Sequence, residues 1–145
     1  MHFVLFVHFV ACYLAAHGDQ ENQHPKCSAT GRALFSGHGF NGLVFVAGQL
    51  SIDPATGEHK FGSIEEQTEL ALSNVHAILK AAGSDWDRVL KMNISVADIN
   101  LWEAVNKVYS RVLGDNRPAR AVIPCGKLHY EFLIEIEAIA ATDIN

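Results

Sequence analysis

From Gly42 onward the chain alternates between strand-like and helix-like hydrophobic spacing. Gly42-Leu43-Val44-Phe45-Val46-Ala47-Gly48 is an apolar run enclosed by glycines, the pattern of a buried strand. Asp53-Pro54-Ala55-Thr56-Gly57 follows as a turn, with proline presetting φ and glycine supplying a positive φ. Ser63 and Glu66 form an S-x-x-E capping box, so a helix should start there. Leu72, Val75, Leu79 and Ala82 recur at helical intervals until Gly83 stops the run, leaving Glu65, Glu69 and Lys80 to water. A polar turn over residues 85–88 precedes Val89-Leu90-Lys91-Met92-Asn93-Ile94-Ser95-Val96, whose apolar residues alternate with polar ones as in a strand. Asn100 with Glu103 predicts the N-cap of a second helix. Its buried face is Leu101, Val105, Val108, Tyr109 and Val112, and Gly114 closes it. Two short apolar segments, 118–124 and 132–140, read as closing strands.

This order predicts an α+β two-layer sandwich, a mixed sheet carrying both helices on one face. On the last strand Phe132, Ile134, Ile136 and Ala138 fall on one side, and Leu133, Glu135, Glu137 and Ile139 on the other. The wholly apolar side should meet the helices. The other is apolar at its ends and charged in the middle, the character of a subunit interface with a wet pocket.

Length and charge narrow the classes. One domain is the natural reading of 145 residues. A net charge of -5 and a pI near 5.8 leave no basic stripe, which weighs against nucleic acid as the main partner. Cys12, Cys27 and Cys125 show no CxxC spacing, and the eight histidines form no HxH or HExxH cluster. No metal site and no disulfide framework is expected; Cys27 and Cys125 fit either free thiols or one bridge. The segment 1–26 stands apart from a domain over 27–145. Its first sixteen residues, MHFVLFVHFVACYLAA, fit a signal-peptide core, an extra buried strand or a mis-assigned start, and are too short to span a bilayer comfortably. A cytoplasmic location is expected, with secretion as the alternative if residues 1–16 act as a signal, and a mitochondrial one as a third.

The chemistry concentrates in the two closing strands. Arg120 sits within Pro118-Ala119-Arg120-Ala121-Val122-Ile123-Pro124, and Glu135 within Phe132-Leu133-Ile134-Glu135-Ile136-Glu137. An unpaired charge is costly to bury, so each needs a partner or a use. One reading is an ion pair joining two strands. The other is a small pocket for an organic acid, in which the planar guanidinium grips a carboxylate and the glutamate orients a water. Trp86 and Trp102 lie beside helix ends and read as packing residues, and His129 and Tyr130 as a surface loop.

Several motifs in series carry a resemblance: LVFVAGQLSIDPATGE, EEQTELALSNVHAILKAAGSDWDRVLKMNISVADI, AVNKVY, PARAVIP and IEIEAIA, spanning Gly42 to Ala140. In these the chain resembles the RidA/YjgF family of reactive-intermediate deaminases. The resemblance implies a chorismate-mutase-like fold and a homotrimer with active sites in clefts between subunits. It gives Arg120 the place of the substrate-carboxylate arginine and Glu135 that of the water-orienting glutamate. Asn106 matches an asparagine lining the cleft, and Gly48 a glycine of the pocket wall. Three positions depart from the family pattern: Phe35 stands for a tyrosine, Ala47 for a serine and Val122 for a frequent cysteine. These changes remove two hydroxyls and a thiol.

The function implied is hydrolysis of 2-imino acids, or their enamine tautomers, to 2-oxo acids and ammonia, a form of metabolite repair. It needs no metal or organic cofactor, because an iminium carbon is already electrophilic. Two alternatives remain at this point: a carboxylate-binding or regulatory trimer without turnover, favoured by the lost side chains, and an endoribonuclease or translation inhibitor, disfavoured by the acidic charge. Neither a nucleic-acid partner nor stable membrane insertion is expected.

Overall fold

The computed structural model describes residues 37–142. The segment 1–26, Cys12, Cys27 and Phe35 lie outside the described residues. The elements are strands β1 (Gly37–Phe40), β2 (Leu43–Gln49), β3 (Val89–Val96), β4 (Ala119–Pro124) and β5 (Ile134–Ala141), with helices α1 (Ile64–Ala81) and α2 (Trp102–Leu113). The strands form one sheet in the order β1-β2-β5-β3-β4. Only β3 and β4 run parallel, joined across α2; the other neighbours are antiparallel. This is the two-layer mixed-sheet architecture expected from the sequence.

Strand β1 was not anticipated. It forms a hairpin with β2 through Asn41 and Gly42, both at positive φ (48° and 71°). The Asn-Gly dipeptide is a strong signal for this tight turn, because both central residues must adopt left-handed backbone. The signal stood in the sequence, but the apolar run after it masked the short partner strand.

Helix α1 starts where the capping box places it. The Ser63 hydroxyl accepts from the Glu66 amide at 3.3 Å, and the Glu66 carboxylate accepts from the Ser63 amide at 2.7 Å. Helix α2 starts differently. Asp98, not Asn100, caps the preceding 3-10 turn, accepting from the Asn100 amide at 2.8 Å, and the turn runs directly into the helix. The carboxylate two residues upstream thus takes the capping role, accepting from the backbone as an ordinary Asx turn.

Both helices pack on the face carrying Val44, Val46, Met92, Ile94, Ile134, Ile136 and Ala138. Each large aliphatic chain there stabilises the fold by roughly 1.5–3 kcal/mol relative to exposure. Leu72, Val75, Leu79, Val105 and Val108 supply the helix side, as their spacing requires, while Leu101 and Val112 lie at its margin. Trp86 also packs against this core and stacks on His76, whereas Trp102 lies outside it and is 40% exposed. Strand β3 breaks its alternation: a bulge between Val89 and Lys91 turns Leu90 outward, leaving it 51% exposed.

Among the described residues no helix covers the opposite face of the sheet. By register it presents Phe45, Ile139, Lys91, Asn93, Glu137 and Glu135. A shallow depression of 520 Å³ there is lined by Phe45, Ala47, Lys91, Asn93, Glu137 and Ile139, among others. Half-apolar and half-charged, it matches the face inferred from β5.

Candidate active site

Two buried amides fix the strands that carry the candidate residues. Gln67 of α1 donates to the Gly62 carbonyl at 2.9 Å and accepts from the Leu133 amide at 3.0 Å, tying the first helical turn to the entry of β5. Asn74 donates to the carbonyls of Leu50 and Ile52, at 3.1 and 2.9 Å, tying α1 to the exit of β2. Side chains thereby satisfy backbone groups that the sheet leaves unpaired.

Between those anchors β2 is irregular. Its register against β5 shifts between Val46 and Gln49, a bulge that contains Ala47 and Gly48. The Glu135 carboxylate lies directly over Gly48: a Cβ on that glycine would stand 1.8 Å from Glu135 Oε1. A hydrogen at this position therefore makes room for the carboxylate. Burial pushes the Glu135 carboxyl above its ordinary value, Glu137 adds to the rise, and His129 opposes it. The environment makes Glu135 a better proton acceptor than an exposed carboxylate.

Arg120 is elsewhere. Among the described residues strand β4 is an edge, and its register pairs Arg120 with Met92, whose side chain faces the helices, while Glu135 pairs with Ser95 on the open face. Residues in register across a sheet share a face, so Arg120 and Glu135 point to opposite sides of the same sheet. The guanidinium carbon lies 4.4 Å from the ring centroid of Tyr109 on α2. Arg120 forms no ion pair and no hydrogen bond among the described residues. The strand-joining Arg–Glu pair considered from the sequence is therefore absent.

The predicted positions fall into two groups. Val122 follows Arg120 by two residues and shares its face, and Asn106 lies one helical turn before Tyr109. Gly48 and Glu135 form the second group, across the sheet. Phe35 lies outside the described residues. Sequence reasoning missed the support of Tyr109 for Arg120; it counted Tyr109 only as core, although the helical spacing from Asn106 was legible. Cys125 is an exposed free thiol among the described residues, and no three His, Cys, Asp or Glu side chains converge there.

The two-layer α+β fold thus carries an unpaired arginine on one sheet face and a half-buried glutamate on the other. The endoribonuclease L-PSP family model matches residues 32–142. A RutC family protein of Pyrococcus abyssi is 43% identical over 98 residues, covering 68% of this chain and 77% of the relative. The 2-iminobutanoate/2-iminopropanoate deaminase of Capra hircus is 42% identical over 97 residues, covering 67% and 71%. Among solved structures, E. coli TdcF with bound serine is 31% identical with a TM-score of 0.71, covering 79% of this chain and 91% of that one. Yeast Mmf1 is 28% identical with a TM-score of 0.74, covering 83% and 96%. The chain belongs to the RidA/YjgF (L-PSP) family, whose curated members include imine deaminases. No helix among the described residues is long and apolar enough to cross a membrane.

Proposed function

We propose that the protein hydrolyses small 2-imino acids to 2-oxo acids and ammonia, at sites assembled between copies of the chain. The observation that carries this reading is Arg120: a half-buried guanidinium, seated on an aromatic ring, with no carboxylate of its own chain among the described residues. Such a fork is suited to a carboxylate arriving from outside, each charged hydrogen bond contributing roughly 1.5–3 kcal/mol. The deaminase names of relatives about 40% identical support the imine as the reacting group. The serine bound to TdcF shows that a family member takes an amino acid, which carries the same carboxylate.

Glu135 completes the chemistry. One water adds to the imine carbon as Glu135 accepts its proton and passes it to nitrogen, giving a carbinolamine. Glu135 then takes the carbinolamine hydroxyl proton and delivers it to nitrogen as the carbon–oxygen double bond forms and the carbon–nitrogen bond breaks, so ammonia leaves with the 2-oxo acid. Because Arg120 and Glu135 face opposite ways, one copy supplies the arginine and a neighbour the glutamate. The open sheet face, with Phe45 and Ile139 beside Glu137, is the surface we assign to that contact, in the homotrimer the family resemblance implies. The loss of polar side chains at Ala47 and Val122 favours a second reading, carboxylate binding without turnover. No basic stripe favours an RNA substrate.

Subunit mixing tests the proposal. Arg120→Lys and Glu135→Gln proteins should each fail to accelerate ammonia release from 2-iminobutanoate. Denaturing and refolding them together should restore about a quarter of wild-type activity, since random pairing places both native residues in that share of heterologous contacts. Active single variants, or no recovery on mixing, would refute the divided site. A wild type that binds 2-oxobutanoate but releases no ammonia would support the non-catalytic reading.

A further inference from the structure

We infer that Tyr109 is the positioning residue of the carboxylate fork: its ring face, not its hydroxyl, holds the Arg120 guanidinium ready for substrate. The inference rests on the reading of Arg120 given above and extends it into α2. Three observations carry it. The Arg120 guanidinium carbon lies 4.4 Å from the Tyr109 ring centroid, well within the range of a cation–π contact. Tyr109 is 6% exposed, so the ring is held by the core and cannot follow a wandering arginine. Its hydroxyl is buried without a hydrogen-bond partner among the described residues, so the oxygen has no evident structural use.

Among the described residues strand β4 has no neighbour beyond it, so sheet packing there restrains Arg120 from one side only. An arginine at such an edge has several rotamers open to it, and ordering it costs free energy whenever substrate binds. A rigid aromatic face fixes the guanidinium in advance without occupying its N–H donors. A carboxylate in the same place would fix it too, but would use those donors. Burial supports this choice, because it pushes the Tyr109 hydroxyl above its ordinary value against the opposing pull of Arg120 and Arg117. The ring stays neutral, and no phenolate competes with the incoming acid.

Tyr109→Leu, which fills similar space without a π face, should raise KM for 2-iminobutanoate about 3- to 10-fold while changing kcat less. Tyr109→Phe keeps the ring and should hold KM within about twofold, with an unchanged or higher Tm because a buried unpaired hydroxyl is gone. A role in packing alone would lower Tm and the folded fraction but leave KM untouched. A folded Tyr109→Leu protein with wild-type KM overturns the inference, as does a Tyr109→Phe protein impaired as much as Tyr109→Leu. Should Tyr109→Leu not fold, the Arg120 Nε–H resonance of the wild type and of Tyr109→Phe decides. An upfield ring-current shift in both supports the inference, and its absence overturns it. Should the wild type release no ammonia, the same variants are compared by calorimetric Kd for 2-oxobutanoate. Weaker binding by Tyr109→Leu then upholds the positioning role while turnover fails, and equal binding overturns it.

Discussion

Replacing Gly48 by alanine separates what the site needs from what the fold needs. Gly48 has no positive φ, so alanine suits its backbone, and the smaller unfolded-state entropy would stabilise the protein by about 0.4–1 kcal/mol. The added methyl meets the Glu135 side chain, at 1.8 Å from Oε1, 2.7 Å from Cδ and 3.0 Å from Cγ. Those atoms belong to the far end of a flexible chain, so they can swing aside at small cost. Real Cβ contacts stay above 3.0 Å, so Oε1 must retreat by at least about 1.2 Å. A displacement near 1 Å at a reacting group costs about 100-fold in rate. The expected Gly48→Ala protein therefore melts within a few degrees of wild type, yet releases ammonia from 2-iminobutanoate about 100-fold more slowly. KM should change little, because Arg120, on the other sheet face, is untouched. Thermal unfolding by circular dichroism and a coupled ammonia assay read the two quantities separately. Full activity in a folded Gly48→Ala protein would refute the placing of Glu135 in the reaction; a collapse in stability would refute the claim that only a movable carboxylate is displaced.

Two further outcomes follow from titration. The Glu135 carboxyl is raised by burial first, so the folded state holds its proton to higher pH than the unfolded chain, and stability falls as pH rises through the ordinary carboxylate range. Glu135→Gln should accordingly melt higher than wild type at pH 7 while losing activity, with the gain shrinking towards pH 4; a lower melting temperature at pH 7 would contradict this. Asp85 behaves oppositely. Its hydrogen bonds to Lys80 and His76, and to the Trp86 amide, hold its carboxyl well below the usual range. That contribution is fully present above about pH 4 and is lost as pH falls further. Asp85 is 45% exposed, so solvent screening keeps the effect small. An Asp85→Asn protein should show a flatter decline in Tm between pH 4 and pH 2, and parallel acid limbs in the two proteins would refute the assignment.

Apart from β1, the elements were legible in the sequence because each rests on neighbours close along the chain. Ser63 and Glu66 satisfy one another's amides within one turn, Leu72 to Ala82 mark a helix face by spacing alone, and the alternation of β5 sorts Ile134 and Ile136 from Glu135 and Glu137. The identities of Arg120 and Glu135 as costly charges in apolar strands were equally visible. Where local signals competed, reading along the chain failed: Asp98 displaced Asn100 as the cap, and the bulge at Val89 turned Leu90 outward.

What the sequence by itself determined is thus every element except β1, the two-layer sandwich and the two charges, Arg120 and Glu135, set at a cost into apolar strands. Only the tertiary structure decided how those residues are distributed. Strand register depends on pairing between segments far apart in the chain, and a shift of one residue reverses every side chain. The alignment of Met92 with Arg120, and of Ser95 with Glu135, sends the arginine to the helix side and the glutamate to the open face. No local pattern encodes that division, nor the bulge that brings Gly48 under a carboxylate from another strand. Both arise because β2, β3, β4 and β5 must pair across long separations while burying one continuous core.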